Sequence, residues 1–126
     1  MQKPKEKTLR NKLDIIFSQY VRRSAADDGG HIRCYCGVLI PWEESDASHY
    51  HYRAILSLRY DERNVHPSCR RCNRFQGGNL AVYALWLEDK YGQGILQELE
   101  KEKHKIVKNF PYQEKIDYYK DKLSSL

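Results

Sequence analysis

Four cysteines fall as two close pairs, Cys34-Tyr35-Cys36 and Cys69-Arg70-Arg71-Cys72. Each pair can form a tight turn that points two thiolates at one ion, and Gly37 eases the first turn. Four thiolates make the tetrahedral shell of a structural Zn²⁺ site, which leaves no position open for substrate. The metal would therefore hold the fold and do no chemistry. It would close the chain between residues 34 and 72 into one hairpin. The first pair has a one-residue gap instead of the usual two, so Cys34 is the less regular ligand. A mixed shell with His31 in its place is the alternative. Paired cysteines without a secretory segment belong to a reducing compartment, where metal ligation is expected over disulfides. The start, Met1-Gln2-Lys3-Pro4-Lys5, has no apolar stretch behind it. No run approaches the about 20 apolar residues that span a bilayer. The expectation is a cytoplasmic protein with no membrane contact, in the host cytoplasm if phage-encoded.

Charge is concentrated where the cysteines bracket the chain. Residues 49–76 hold six arginines against two acids, and residues 1–23 hold seven Lys/Arg against two acids, within a net charge of +5. Arginine presents a planar fork that matches phosphate oxygens. A local basic surface of this kind suits a nucleic acid. Arg53, Arg59, Arg70, Arg71 and Arg74 are the expected DNA contacts.

Helical periodicity frames this centre. Leu9, Leu13, Ile16, Phe17 and Tyr20 predict a helix over about residues 7–24 with Thr8 as N-cap. Short strands are expected at residues 31–35 and 38–40, and a loop from Pro41 to Ser48. Residues 49–76 show no apolar period. Asn79 is expected to cap a helix through Leu80, Tyr83, Leu87 and Tyr91 that stops at Gly92. Ile95, Leu96, Leu99, Ile106 and Val107 predict another, and Tyr112, Ile116, Tyr119 and Leu123 a last one. The fold class is thus α+β: one domain over residues 1–126, with a basic helical segment (1–30), a zinc-pinned core (31–92) and carboxyl-terminal helices (93–126).

The chemistry-bearing residues lie between the cysteine pairs. Asp46-Ala47-Ser48-His49-Tyr50-His51-Tyr52-Arg53 holds a carboxylate, two histidines and an arginine, and Asn64, His66 and Asn73 follow. Phosphodiester hydrolysis needs a base for water, a divalent ion on the phosphate and cations for the developing charge. Histidine suits the base, with an ordinary pKa of about 6.5. His31 and His104 are expected to be incidental. Tyr50, Tyr52 and Tyr60 are candidates for stacking on unpaired bases or for packing.

Asn64, Cys69-x-x-Cys72-Asn73, an upstream histidine and an earlier cysteine pair together resemble the zinc-containing His-Asn-His nucleases. More closely, Ser48-His49-Tyr50, Leu58-Arg59-Tyr60-Asp61-Glu62-Arg63-Asn64-Val65-His66-Pro67, Cys72-Asn73, Gly78-Asn79, Tyr83 and Lys90-Tyr91-Gly92 resemble the lambda-type phage NinG/Rap recombination endonucleases. The resemblance covers about residues 31–100. It implies a ββα-metal centre flanked by helices, and structure-specific cleavage of branched recombination intermediates such as Holliday junctions. By position it makes His49 the general base, Asn64 the brace of the loop, and Asn73 a holder of the catalytic metal. His66 becomes a further ligand or phosphate contact. Mg²⁺ or Mn²⁺ would sit among His49, His66, Asn73 and Asp46. The position before the base, often acidic in such enzymes, is Ser48 here. Asp46 is therefore the nearest acid, and His49 as a ligand with His51 as base is the alternative. Two cuts in a branched substrate imply a homodimer, and phage or host recombination proteins are expected partners. The rival functions are a non-catalytic zinc module that binds DNA and a zinc-stabilised protein-interaction domain.

Overall fold

The computed structural model describes residues 4–126. Residues 1–3, which carry Lys3 of the basic leading segment and the start of the stretch where no secretory signal is expected, lie outside the described residues. The elements run α1 (Pro4–Ser24), β1 (His31–Arg33), β2 (Leu39–Pro41), a short 3-10 turn (Trp42–Glu44), β3 (Asp46–His49), α2 (Leu56–Arg59), β4 (Val65–Ser68), a wide helical turn (Arg71–Phe75), α3 (Leu80–Tyr91), α4 (Ile95–Lys103) and α5 (Tyr112–Ser124). The architecture is α+β. No helix among the described residues is long and apolar enough to cross a membrane.

Two apolar clusters flank a central hairpin. On one side α1 buries Leu13, Phe17 and Val21 against Tyr112, Ile116 and Tyr119 of α5, with Tyr60 and Val65 completing the cluster. The spacing of four in α1, and of four and three in α5, keeps each stripe on one face. Phe17 meets Tyr60 and Tyr119 edge-on, at ring-centroid distances of 5.5 and 5.0 Å. On the other side Tyr83 and Leu87 of α3 and Ile95 and Leu99 of α4 pack with Leu58, Tyr35 and three of the cysteines.

Strands β3 and β4 pair antiparallel, with Asp46 opposite Ser68, Ser48 opposite His66 and His49 opposite Val65. Neighbouring side chains alternate between the two clusters. Ala47 and Val65 join the α1–α5 cluster. Ser48 and His66 meet Tyr35 and Tyr83 on the opposite side. This corrects the expected loop over 41–48, and it gives residues 65–68, where no apolar period is visible, a strand. The alternation is real but is written in buried polar residues. Ser48 is fully buried, and the Tyr83 hydroxyl donates to its carbonyl at 2.8 Å. Hydrogen bonds replace the apolar pattern by which a half-buried strand is recognised.

Other boundaries shift for local reasons. Helix α1 begins at Pro4, so Thr8 lies inside it and not at its cap. The helix-favouring Lys5-Glu6-Lys7 carries it a turn beyond the apolar stripe. Helix α4 stops at Lys103 and does not reach Ile106 and Val107; Ile106 is 86% exposed. From Glu100 to Lys105 no apolar residue continues the stripe of Leu99, and a short helix without a buried face does not propagate. Helix α3 ends at Gly92, whose φ of 93° lies where glycine is favoured.

Candidate functional site

The four cysteine sulfurs lie within 4.8 Å of one another. Cys34 and Cys36 flank a turn closed by the Gly37 amide donating to the Cys34 carbonyl at 2.8 Å, with Gly37 at a φ of 100°. Cys69 follows β4 directly, and Cys72 sits in the helical turn. Cys36 Sγ and Cys69 Sγ are 3.8 Å apart. Zn–S bonds of about 2.3 Å in a tetrahedron give an edge of about 3.8 Å, so the array fits a zinc ion. The cluster includes Cys34 and leaves out His31, which removes the mixed shell. Burial pushes the Cys34 thiol up. Burial also acts to raise Cys36, but the Val38 amide and the neighbouring thiols overcome it and lower that group. Four clustered thiols, three of them buried, hold together best around a cation that takes them as thiolates.

Asn79 belongs to this centre, and its expected capping bond is absent. It occupies the residue before α3, in a left-handed conformation with φ 50°, and makes no side-chain cap. Its Nδ2 instead donates to Cys72 Sγ at 3.5 Å. An N-cap needs an extended backbone, which the left-handed Asn79 does not have, and its amide N–H is free to orient the sulfur of a candidate ligand instead.

A cleft of about 590 Å³ opens beside the hairpin. Asp46, His49, Arg53, Arg59, Asn73 and Arg74 line it, together with Tyr50, His51, Tyr52 and Asp14. The His49 Nε2–H donates to the Arg59 carbonyl at 3.0 Å. In a neutral imidazole this leaves Nδ1 as the lone-pair nitrogen. Burial, with the positive charges of Arg53 and Arg59, lowers the His49 pKa below its ordinary value, although the hydrogen bond opposes this. The ring is therefore neutral at neutral pH.

Asp46 is gripped from the helical turn that follows β4. Arg74 donates to it through Nε and Nη2 at 2.8 and 2.9 Å, and Asn73 Nδ2 donates at 3.1 Å. Burial works against its charge, but Arg74 and Asn73 hold the carboxyl below its usual range. Asp46 lies three residues before His49, and both residues line one cleft.

Asn64 does not line the cleft; it is fully buried behind the wall. Its Oδ1 accepts the His51 amide at 2.9 Å, and its Nδ2 donates to the carbonyls of His51 and Leu58 at 3.2 Å each.

His66 does not join the cleft. It faces α3, where Nδ1 meets the Tyr83 hydroxyl at 2.9 Å and Nε2 the Tyr91 hydroxyl at 2.7 Å. Since the Tyr83 proton goes to the Ser48 carbonyl, Nδ1 must carry hydrogen and Nε2 must accept. Burial lowers its pKa to about 3. Neither nitrogen is left for a metal or a phosphate. The reason is register: His66 pairs with Ser48, one residue from His49, and a shift of one reverses the face.

Arg59 also departs from its expected role as a free phosphate contact. It is buried and forms a two-point ion pair with Asp14 of α1, Nε to Oδ1 at 3.0 Å and Nη2 to Oδ2 at 2.6 Å. Arg53, Arg70, Arg71 and Arg74 are exposed, with Arg53 and Arg74 on the cleft. Asp14 was not among the expected site residues. The only hint is its place as one of two acids in residues 1–23, beside buried Leu13.

Comparison with known proteins supports one lineage. Over 66 residues the chain is 41% identical to Protein ninG of Escherichia phage 933W and 39% identical to those of Salmonella phage P22 and Escherichia phage lambda. Each alignment covers 52% of this chain and 32% of the relative, so the matched stretch spans about a third of those proteins' length. No solved structure gives a significant match. A family model described as the bacteriophage lambda NinG protein matches residues 2–126, and the chain belongs to the NinG family.

Proposed function

We propose that the cleft is a phosphodiester-hydrolysing centre and that the protein is a metal-dependent, structure-specific DNA endonuclease acting on branched recombination intermediates. The observation that carries this reading is His49. A neutral imidazole, tied by Nε2–H to the Arg59 carbonyl and so keeping its lone pair on Nδ1, lines an arginine-rich cleft that also holds an acid and an amide. The antiparallel pair β3 and β4, joined through the short α2 and followed by the helical turn at residues 71–75, is the feature that supports a ββα-metal reading.

A hard divalent ion takes oxygen ligands. Asp46 and Asn73, in direct contact at 3.1 Å, are the residues that would hold Mg²⁺ or Mn²⁺ here. His66 is excluded from that set by its two tyrosines. When bound, such an ion supplies positive charge to a phosphate oxygen. His49 takes the proton from the attacking water at Nδ1. The alternative makes His49 a ligand and His51 the base. Arg53, Arg70, Arg71 and Arg74 bind backbone phosphates, which recognises shape and charge more than sequence. A junction with two strands to cut favours a two-fold dimer, and recombination proteins of phage or host are the fitting partners.

A second reading, a non-catalytic zinc module that binds DNA, is favoured by one observation: Asp46 is already neutralised by Arg74. The two are separated by incubating the protein with a synthetic four-way junction and a matched duplex in Mg²⁺, Mn²⁺ or EDTA. Metal-dependent cleavage of the junction, lost in His49→Ala, is the expected result. Binding without cleavage in either metal would overturn the nuclease reading in favour of the second.

A further inference from the structure

The hydrogen bond that sets His49 comes from a weak piece of structure. Helix α2 has four residues, Leu56–Arg59, and no side-chain cap. A helix that short does not hold its own geometry. Yet its last two carbonyls both do specific work: Leu58 O accepts from Asn64 and Arg59 O accepts from His49. Something must fix the Arg59 peptide.

The fixing group is on another element. Asp14 of α1 takes the Arg59 guanidinium at two points, and its Oδ1 also accepts the Tyr60 hydroxyl at 2.6 Å. The same guanidinium donates through Nη1 to the Arg53 carbonyl at 3.2 Å. One carboxylate thus ties both ends of the segment from Arg53 to Tyr60, which forms a wall of the cleft. The pair is largely shielded, with side-chain exposures of 10% for Arg59 and 20% for Asp14. A planar two-point pair constrains direction as well as distance. Burial works against the Asp14 charge, but Arg59 and Tyr60 hold its carboxyl below the ordinary value.

We propose that Asp14 is a positioning residue of the candidate active site: through Arg59 it fixes the carbonyl that selects the His49 tautomer with hydrogen on Nε2. Helix α1 is then a working part of the site and not only a basic arm. The inference rests on the cleft being catalytic only for its effect on rate. The tautomer is a property of the protein alone.

The test is nitrogen-15 NMR of the histidines in the zinc-loaded full chain, with Asp14→Asn and Arg59→Lys, each checked for folding by its amide spectrum and zinc content. Wild type is expected to show His49 as the Nε2–H tautomer. Both variants are expected to show a mixture of tautomers, and a kcat for junction cleavage reduced about 10- to 100-fold with KM little changed. A His49 that keeps the wild-type tautomer in both variants would overturn the proposal, whether or not the protein cuts DNA. Should wild type fail to cut, the tautomer shift still decides the role of Asp14. Should Asp14→Asn fail to fold, Arg59→Lys, which keeps the charge and loses the two-point geometry, decides it.

Discussion

Asn64 pairs with His51 as one strand pairs with the next. Its side-chain amide accepts the His51 N–H at 2.9 Å and donates to the His51 carbonyl at 3.2 Å. The main-chain carbonyl of Asn64 takes the Tyr50 amide at 2.9 Å, one step earlier. The ladder of β3 and β4 is thereby extended past His49 by a side chain. Replacing Asn64 with alanine leaves the partly buried His51 N–H and carbonyl without these partners, at about 1 kcal/mol or more for each, and takes one donor from the Leu58 carbonyl, which keeps the Asp61 amide. Asn64→Ala is expected to lower the unfolding free energy by about 2–4 kcal/mol in urea, and Asn64→Asp to do at least as much by burying a charge. A midpoint equal to wild type would show that the brace is dispensable.

His66 makes stability depend on acid. The unfolded histidine titrates near 6.5 and the folded one near 3, because burial disfavours its charge. Between these values the unfolded chain binds the extra proton. Stability from this group is therefore complete above about 6.5 and is lost as the pH falls toward about 3. Unfolding curves from pH 7 to pH 4 are expected to show that slope, and His66→Gln to flatten it while lowering stability at neutral pH. An unchanged slope in the variant would place the acid sensitivity elsewhere.

The cysteine cluster sits inside the apolar cluster of α3 and α4, with Cys72 fully buried. Removing a structural ion there exposes thiols to mutual contact and unties residue 34 from residue 72. Native mass spectrometry is expected to find one zinc per chain. Chelation is expected to lower Tm, and Cys72→Ser to lose the ion. Asn79→Ala is expected to weaken zinc retention about 10- to 100-fold through the lost N–H to Cys72. Full stability in the metal-free protein would remove the structural role.

Arg74 and an ion at Asp46 compete for one carboxylate. In the proposed centre, a DNA phosphate that draws Arg74 away leaves Asp46 open, so DNA and ion should strengthen each other's binding. Calorimetry with Mn²⁺ alone is expected to show tighter binding to Arg74→Ala than to wild type. Adding duplex DNA is expected to narrow that difference. Equal affinities without DNA would show that the ion pair does not compete.

Much of this was legible along the chain. The cysteine spacing located the four-cysteine cluster that could hold a metal, because residues so close in sequence can reach one point through a tight turn alone. The stripes of α1, α3 and α5 were legible because a helix repeats its face locally. The strands β3 and β4 were hidden, since their inward residues are Ser48, His66 and Ser68, and only packing against Tyr35 and Tyr83 makes such residues strand core. Three assignments needed the tertiary structure. Register turned His66 away from His49, helix α1 supplied Asp14 to Arg59, and a left-handed Asn79 directs its amide to the Cys72 sulfur without capping α3. Sequence by itself determined which chemistry this chain can carry and how its regular helices fall, for both follow from neighbours within a few residues. Which side chains share a cleft was decided by the tertiary structure, because the face of a strand and the partner of a buried charge depend on residues as far apart as Asp14 and Arg59.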